Sequence, residues 1–130
     1  MTTDHPQDTT TARSALKALI ASTNTHNFDN VAPHLTDDVV YLFTDRVVRG
    51  REAARAYFTH TWATIVGEIY AAEDIEWLIE NDDTAVATYR FSWRGVIDGT
   101  PSAGDGRATN VFVRDDSGEW RLAHEHLSGA

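Results

Sequence analysis

The second half of the chain restricts the possible folds most, because from Glu68 to the end nearly every segment alternates in the manner of a β-strand. The clearest run extends from Thr84 to Ile97. Along it, every second side chain from Ala85 to Trp93 is small or aromatic, and these side chains point to one face of the strand. An aromatic face of this size has to be covered by helices, by a ligand or by another subunit. The pattern therefore predicts a long antiparallel meander with one covered face.

Three neighbouring segments complete the predicted meander. Ile69 to Ile79 forms the preceding strand, and the polar residues 81–83 form the turn between the two strands. After Ile97, the glycine-containing segment 99–106 predicts a loop. The chain then ends in a hairpin over Thr109 to Ala130.

The turn of this hairpin decides which side chains share a face. Residues 116–118 suit a three-residue loop in which Gly118 takes the left-handed conformation. A two-residue turn would slip the pairing by one residue and place Thr109 opposite His124. The three-residue loop is the expected one, because it uses the glycine. The pairs it predicts are Arg114 with Trp120, Phe112 with Leu122, Asn110 with His124, and Ala108 with His126.

In this register one face of the hairpin is apolar near the turn and polar further along, where Asn110, His124 and His126 lie together. Imidazoles directed into a cavity can act as acids, bases or hydrogen-bond donors near neutral pH. The alternative is a structural role, with hydrogen bonds to the backbone or to Asn110. Glu125 is expected on the opposite face, at an interface or in solvent.

The first half of the chain predicts helices around a short hairpin. A helix with an apolar stripe covers residues 16–23, and the threonines before it can cap it. A second short helix covers Asn27 to Leu35 and is limited by Pro33. A hairpin over residues 37–50 precedes a third helix that starts at Arg51. The expected fold is α+β, with the N-terminal helices packed on one face of a curved sheet and a cavity between them.

Length and composition agree with one globular domain. At 130 residues, with 42% hydrophobic and 10% aromatic residues, the chain can bury a core without metals or crosslinks. Residues 1–10 are polar and predict a disordered leader, so the single domain is expected over residues 11–130.

Charge and residue types exclude several classes of function. A net charge of -9 argues against nucleic acid and against anionic membrane surfaces as partners. The chain has no cysteine, which excludes disulfides, thiolate catalysis and iron-sulfur sites held by cysteine. The N-terminus has no apolar signal core and no run reaches membrane-spanning length, so a cytoplasmic location is the default.

Several strings, in order, resemble the nuclear transport factor 2-like superfamily, which includes ketosteroid isomerases, SnoaL-like polyketide cyclases and the association domain of calcium/calmodulin-dependent protein kinases. Asn27 to Val39 is similar to the family's second helix and first strand, and Arg49 to Phe58 to the start of its third helix. The C-terminal string is closest to the association domain. Its matching residues are Trp120, His124, His126, Ser128 and Gly129.

The resemblance implies a cone-shaped fold with an internal cavity and a homodimer. It also argues against two functions of related cavities, steroid isomerisation and anion binding. Leu19 stands where ketosteroid isomerases carry a catalytic Tyr, and Phe43 where they carry an Asp base, which argues against a standard steroid isomerase. Association domains place Arg in the cavity at the positions of Phe91 and Asn110, so an apolar cavity is implied instead of an anion-binding one.

Candidate site residues follow from the faces and from the resemblance. An aromatic wall favours an apolar or aromatic ligand. Two histidines on one strand could chelate a metal, but no third ligand is required by the spacing of His26 or His60, and neither a metal nor a cofactor is expected. The candidates are His124, His126 and Tyr89 for catalysis, and Tyr41, Tyr57, Trp62, Phe91, Trp93, Asn110 and Phe112 for ligand binding.

Two functions remain open from the sequence. The first is a small-molecule-binding protein with an aromatic-lined cavity that acts as an acid-base isomerase, cyclase or hydratase of an apolar metabolite without a cofactor. The second is a non-catalytic dimerisation or association module.

Overall fold

A computed structural model describes residues 11–129, and the predicted leader over residues 1–10 lies outside them. Over the described residues the fold is α+β, as predicted, with three α-helices and a curved six-stranded sheet. The helices are α1 (Ala12–Thr23), α2 (Phe28–Val31) and α3 (Arg51–Thr64), with a 3-10 turn at Ala32–His34 after α2. The strands are β1 (Leu35–Leu42), β2 (Val47–Arg49), β3 (Val66–Glu80), β4 (Thr84–Ile97), β5 (Thr100–Arg114) and β6 (Trp120–Gly129).

Side-chain caps start the first two helices, and the cap of α1 is one of the predicted threonines. The hydroxyl of Thr11 accepts a hydrogen bond from the backbone N–H of Ser14 at the start of α1. The side chain of Asn27 accepts one from the backbone N–H of Asp29 at the start of α2. Pro33 lies in the 3-10 turn that ends this region, which agrees with its predicted limit on helix length.

The strands lie in the order β2-β1-β6-β5-β4-β3, and the sheet is mixed because β1 and β6 run parallel while all other pairs are antiparallel. The three long strands β3, β4 and β5 form the meander predicted from the alternation. A bulge in β3 between Glu73 and Glu76, with Asp74 at a φ of 56°, adds to the bend of the sheet. The bent sheet wraps around α1 and α3, and the core lies between them.

The loop predicted over residues 99–106 is wrong, because β5 begins at Thr100. The turn consists of Asp98 and Gly99, whose φ angles of 50° and 79° are typical of a two-residue hairpin turn. Within residues 98–106, only Asp98 and Gly99 have a positive φ.

Gly104 and Gly106 lie inside β5 for a different reason. A Cβ at Gly104 would lie 2.5 Å from the ring of Trp93, and one at Gly106 would lie 2.7 Å from the ring of Phe91. The glycines make room for two aromatic rings of β4 that point toward the helices, so they are packing residues in a strand.

The last hairpin has the predicted turn but not the predicted register along its whole length. Gly118 is left-handed at a φ of 88°, and Phe112 pairs with Leu122 as expected. A bulge then shifts the pairing by one residue, because Val111 pairs with His124 and Ala123 has no partner. From there to the C-terminus, every side chain of β6 lies on the face opposite to the one predicted.

One face of the sheet packs against the helices, and the other, called the outer face here, has no covering element among residues 11–129. A row of outer-face residues crosses five paired strands: Val40, His124, Val111, Val86 and Ile79. Within residues 11–129, no helix has the length and apolar character needed to cross a membrane.

Candidate functional site

A cavity of about 890 Å³ lies between the helices and the curved sheet. This volume is within the range of pockets that hold small molecules. Asp45, Arg46 and Arg49 line the cavity but are themselves exposed, so they mark where it meets solvent. The walls further inside include Leu19, Ile20, Tyr41, Phe58, Tyr70, Phe91, Trp93 and Leu127, together with Glu125, the carboxylic acid of the wall that is buried.

Glu125 is the main polar group of the inner cavity. Its side chain is in the cavity wall, yet the residue is only 8% exposed. Burial raises the pKa of its carboxyl to about 8, because the charged form loses its hydration. Among the described residues, no lysine, arginine or histidine forms a salt bridge with it. The carboxyl is therefore mostly protonated at neutral pH and able both to donate and to accept a proton.

Asn110 lies behind Glu125, away from the cavity, and holds its carboxyl by a hydrogen bond. With its amide nitrogen turned toward β6, Asn110 donates hydrogen bonds to Oε1 of Glu125 and to the backbone oxygen of Thr109, both at 3.2 Å. Its side chain is fully buried, so these bonds satisfy a polar group that burial would otherwise destabilise. The register shift in the hairpin creates this contact, because it pairs Asn110 with Glu125.

Three buried phenols surround the carboxyl of Glu125. The hydroxyl oxygens of Tyr70 and Tyr89 are 3.4 Å apart, and Tyr89 also hydrogen-bonds with Asn110. Burial raises the pKa of Tyr41, Tyr70 and Tyr89 well above the usual value for tyrosine, and the nearby Glu125 carboxyl adds to each increase. All three phenols therefore remain neutral hydrogen-bond donors across the physiological pH range.

An aromatic stack forms the wall near the open end. The ring of Phe43 lies between those of Tyr41 and Tyr57, at centroid distances of 4.9 and 3.9 Å. The hydroxyl of Tyr57 donates a hydrogen bond to Oδ1 of Asp45 at 3.2 Å. Burial, with the nearby Asp45 carboxylate, raises the pKa of Tyr57 to about 12. This stack joins α3 to the connection between β1 and β2.

A second carboxylic acid, Glu68, lines the cavity beside the start of β3. Burial raises the pKa of its side chain, while the nearby His26 lowers it. His26 is held by stacking on Trp62 and by a hydrogen bond between its Nε2 and the backbone oxygen of Glu68 at 2.7 Å. Within the part of the chain that the structure describes, no three His, Cys, Asp or Glu side chains are placed to share a metal ion.

Four of the seven predicted ligand-binding residues line the cavity, and three do not. Those in the wall are Tyr41, Tyr57, Phe91 and Trp93. Trp62 packs on His26, Phe112 packs on Trp77 in the core, and Asn110 lies behind Glu125. Tyr89 is likewise behind the wall, where it reaches the cavity through Tyr70 and Asn110.

The predicted direction of His124 and His126 is wrong. The bulge at Ala123 turns both side chains to the outer face, where His124 pairs with Val40 and Val111 and His126 is exposed. Neither residue lines the cavity. Their assignment as catalytic residues stays a prediction that their placement does not support.

The sequence reasoning missed Glu125 and Tyr70. Glu125 is flanked by two histidines, and a single position of register decides which of the three side chains points inward. No glycine or proline marks the bulge. Tyr70 carried a usable signal, because it lies in a predicted strand and pairs with Trp93, which was expected on the covered face.

Solved structures with the same fold carry several different assignments. A protein from Xanthomonas campestris, provisionally assigned as a calcium/calmodulin-dependent protein kinase II association domain, has a TM-score of 0.80 at 21% identity, over 98% of this chain and 89% of that one. A nuclear transport factor 2-like superfamily protein from Salmonella enterica has a TM-score of 0.80 at 18% identity, over 95% and 89%. A provisionally assigned ketosteroid isomerase from Shewanella frigidimarina has a TM-score of 0.77 at 22% identity, over 90% and 94%.

At these identities the likeness shows the fold, which is that of the nuclear transport factor 2-like superfamily, and leaves the chemistry to the residues of the cavity. Comparison with curated protein sequences gave no significant match. The family model for the SnoaL-like domain matches residues 12–130, which is nearly the whole chain. The chain belongs to the SnoaL-like domain family.

Proposed function

We propose that this protein binds a small apolar or aromatic molecule in its cavity and transfers a proton to or from it through Glu125, as an isomerase, cyclase or hydratase does. One observation carries the proposal: a buried carboxyl with a pKa of about 8 is the main polar group in an otherwise largely aromatic and aliphatic inner wall. A group that titrates near neutral pH is suited to both halves of an acid-base reaction.

The groups around Glu125 support this role. Asn110 fixes one carboxyl oxygen, so the carboxyl keeps a defined direction toward the cavity. Tyr70 lines the cavity and offers a neutral hydroxyl beside Glu125, with Tyr89 hydrogen-bonded behind it. The Tyr70 hydroxyl can donate a hydrogen bond to an oxygen or nitrogen of the substrate while a proton moves between the substrate and Glu125. Tyr89 then acts as a positioning residue, because it reaches the substrate through Tyr70 and Asn110.

Proton transfer can be tested without knowing the natural substrate. In D₂O, 2-indanone exchanges the protons next to its carbonyl, and NMR follows the rate. Wild-type protein is expected to accelerate the exchange, and Glu125→Gln, which keeps the shape and removes the titrating group, to slow it by roughly 100-fold or more. The matched control is Glu76→Gln, an exposed position on β3. Equal exchange by wild type and Glu125→Gln would contradict the proposal.

A second proposed property is a homodimer formed through the outer face. The row Val40, His124, Val111, Val86 and Ile79 is largely apolar, and in the described residues nothing covers it. Ile69 and Leu78 of β3 are also exposed, at 47% and 61%. Exposed apolar surface of this extent is typical of protein-protein contacts. It is compatible with the binding function and also with a purely associative role.

Light scattering after gel filtration tests the dimer. Val111→Arg places a charge at the centre of the row and is expected to give a monomer. Thr100→Arg, at the far end of β5, is the control and is expected to leave the mass unchanged. A wild-type protein that elutes as a monomer at high concentration would exclude this interface. If the protein is a dimer but binds no apolar probe, the associative role alone is favoured.

A further inference from the structure

We propose that the natural ligand carries a basic nitrogen, an amine or an imine, that takes the proton of Glu125 and forms an ion pair with it inside the cavity. This inference rests on the proposed proton-transfer function and specifies its substrate class. The step is balanced for either form of the ligand. A neutral nitrogen takes the Glu125 proton, so the O–H bond of the carboxyl breaks and an N–H bond forms; a ligand that is already protonated binds as the Glu125 proton is released to water. In both cases a carboxylate and an ammonium or iminium ion remain together.

The first support is that Glu125 has no positive partner of its own. In residues 11–129, the hydrogen bond from Asn110 is the polar contact that the structure gives its carboxyl, and no salt bridge reaches it. A buried carboxylate without a cation is destabilised by several kcal/mol in general, by the lost hydration. A ligand cation would remove that cost, so the cavity complements a positive charge.

The second support is the sign of the other charges in the cavity wall. Glu68 adds a second carboxyl group to the wall, and the two arginines of the wall, Arg46 and Arg49, are exposed at the open end. Arg46 is also paired with Asp45, at 3.4 Å. A negative charge that develops on the ligand would find hydrogen bonds from the phenols, but among residues 11–129 no lysine, arginine or histidine is ion-paired with Glu125 to neutralise it. A ligand that becomes positive would meet a carboxylate.

The third support is the wall itself. The groups that face Glu125 from β1, β3 and β4 are the phenols Tyr41, Tyr70 and Tyr89, which are neutral and electron-rich. Phe91 and Trp93 add further aromatic surface to the cavity. Aromatic rings attract cations as well as apolar groups, so a hydrophobic amine gains from both properties of the wall.

Three probes of similar shape separate this inference from the proposed function. They are 2-phenylethylamine, 2-phenylethanol and phenylacetate, and calorimetry measures their binding to the full chain. The alcohol reports whether the cavity binds an apolar molecule at all. We expect the amine to bind at least 10-fold more tightly than the alcohol near pH 9, and phenylacetate to bind most weakly.

The pH dependence gives a sharper test. With a pKa of about 8, roughly one Glu125 in a hundred is ionised near pH 6 and about nine in ten near pH 9. An alkylamine, with a pKa near that of lysine, is still mostly charged at that pH. The affinity for 2-phenylethylamine is therefore expected to rise by up to roughly 80-fold between about pH 6 and about pH 9, while that of 2-phenylethanol stays constant.

Glu125→Gln should remove the preference for the amine and its pH dependence while keeping the affinity for 2-phenylethanol within about twofold; Glu76→Gln should behave as wild type in both respects. Circular dichroism confirms that each variant is folded. If wild type binds the alcohol as tightly as the amine at every pH, the inference is wrong and the proposed function survives. If none of the three probes binds, both are wrong. Retention of the amine preference in Glu125→Gln would also overturn the inference.

Discussion

Replacing Glu125 with glutamine should stabilise the protein, and the gain should grow with pH. In the unfolded chain this carboxyl ionises near 4.5, and in the folded protein burial raises its pKa to about 8. Between these values the unfolded state releases a proton that the folded state keeps, so each pH unit lowers the free energy of unfolding by about 1.4 kcal/mol. The stability contributed by this group is complete below about pH 4.5 and is lost as the pH rises through about 8.

The total effect across that interval is about 5 kcal/mol, the equivalent of the difference between the two pKa values. Glutamine has the same shape and cannot ionise, so Glu125→Gln escapes the loss. Any constant effect of the substitution, such as an altered hydrogen bond with Asn110, shifts both ends of the curve equally. The informative quantity is therefore the slope of the difference between variant and wild type against pH.

Urea unfolding at several pH values between about 5 and 9 measures this slope. Glu76→Gln, whose side chain is exposed, serves as the control for the change in net charge and should give a flat difference. A Glu125→Gln difference that is equally flat would refute the assignment of a buried, protonated carboxyl in the cavity. Such a result would also remove the main support for proton transfer at this site.

Two further predictions concern the sheet. Gly106→Ala would bring a Cβ to 2.1 Å from the backbone oxygen of Ser128, so it should lower the free energy of unfolding by about 1–3 kcal/mol, measured by urea titration. The control is Gly129→Ala, which should have little effect because a Cβ there would meet open space. Asp115→Ala removes the acceptor for Arg121 and for the turn of the last hairpin, so it should lower the melting temperature at neutral pH. Because these bonds hold the pKa of Asp115 well below its usual 3.8, that stabilisation is present above this pH and the difference from wild type should shrink as the pH falls below it.

Most of the fold could be predicted from the sequence, because the alternation of the strands, the helix cap and the turn at Gly118 are local signals. The limits of β4 and the start of α3 follow from periodicities that the side chains impose on their own segments. The segment 99–106 was misread because a glycine that makes room for a neighbouring ring looks, in sequence, the same as one in a turn. Only the position of Trp93 and Phe91 on the paired strand distinguishes the two.

The candidate site was less predictable, since it depends on one bulge. Ala123 is an ordinary strand residue, and nothing near it marks the extra position that turns Glu125 inward and His124 outward. The parallel pairing of β6 with β1 places Val40 beside His124 and Tyr41 beside Glu125, which matches the buried face of β1 to the buried face of β6. This register between two strands distant in sequence depends on the tertiary structure, so the pattern of a single segment cannot predict it.

The end of α1 also protects the sheet from other chains. β3 is an edge strand, and an edge offers unpaired N–H and C=O groups on which a further strand can assemble. Here the amide of Asn24 both donates to the oxygen and accepts from the N–H of Tyr70, at 2.9 and 2.8 Å, as a neighbouring strand would. His26 hydrogen-bonds the oxygen of Glu68 in the same way. The side chains of Asn24 and His26 thus occupy backbone groups of β3 that a further strand would otherwise bind. This protects the first part of the edge from pairing with a strand of another chain.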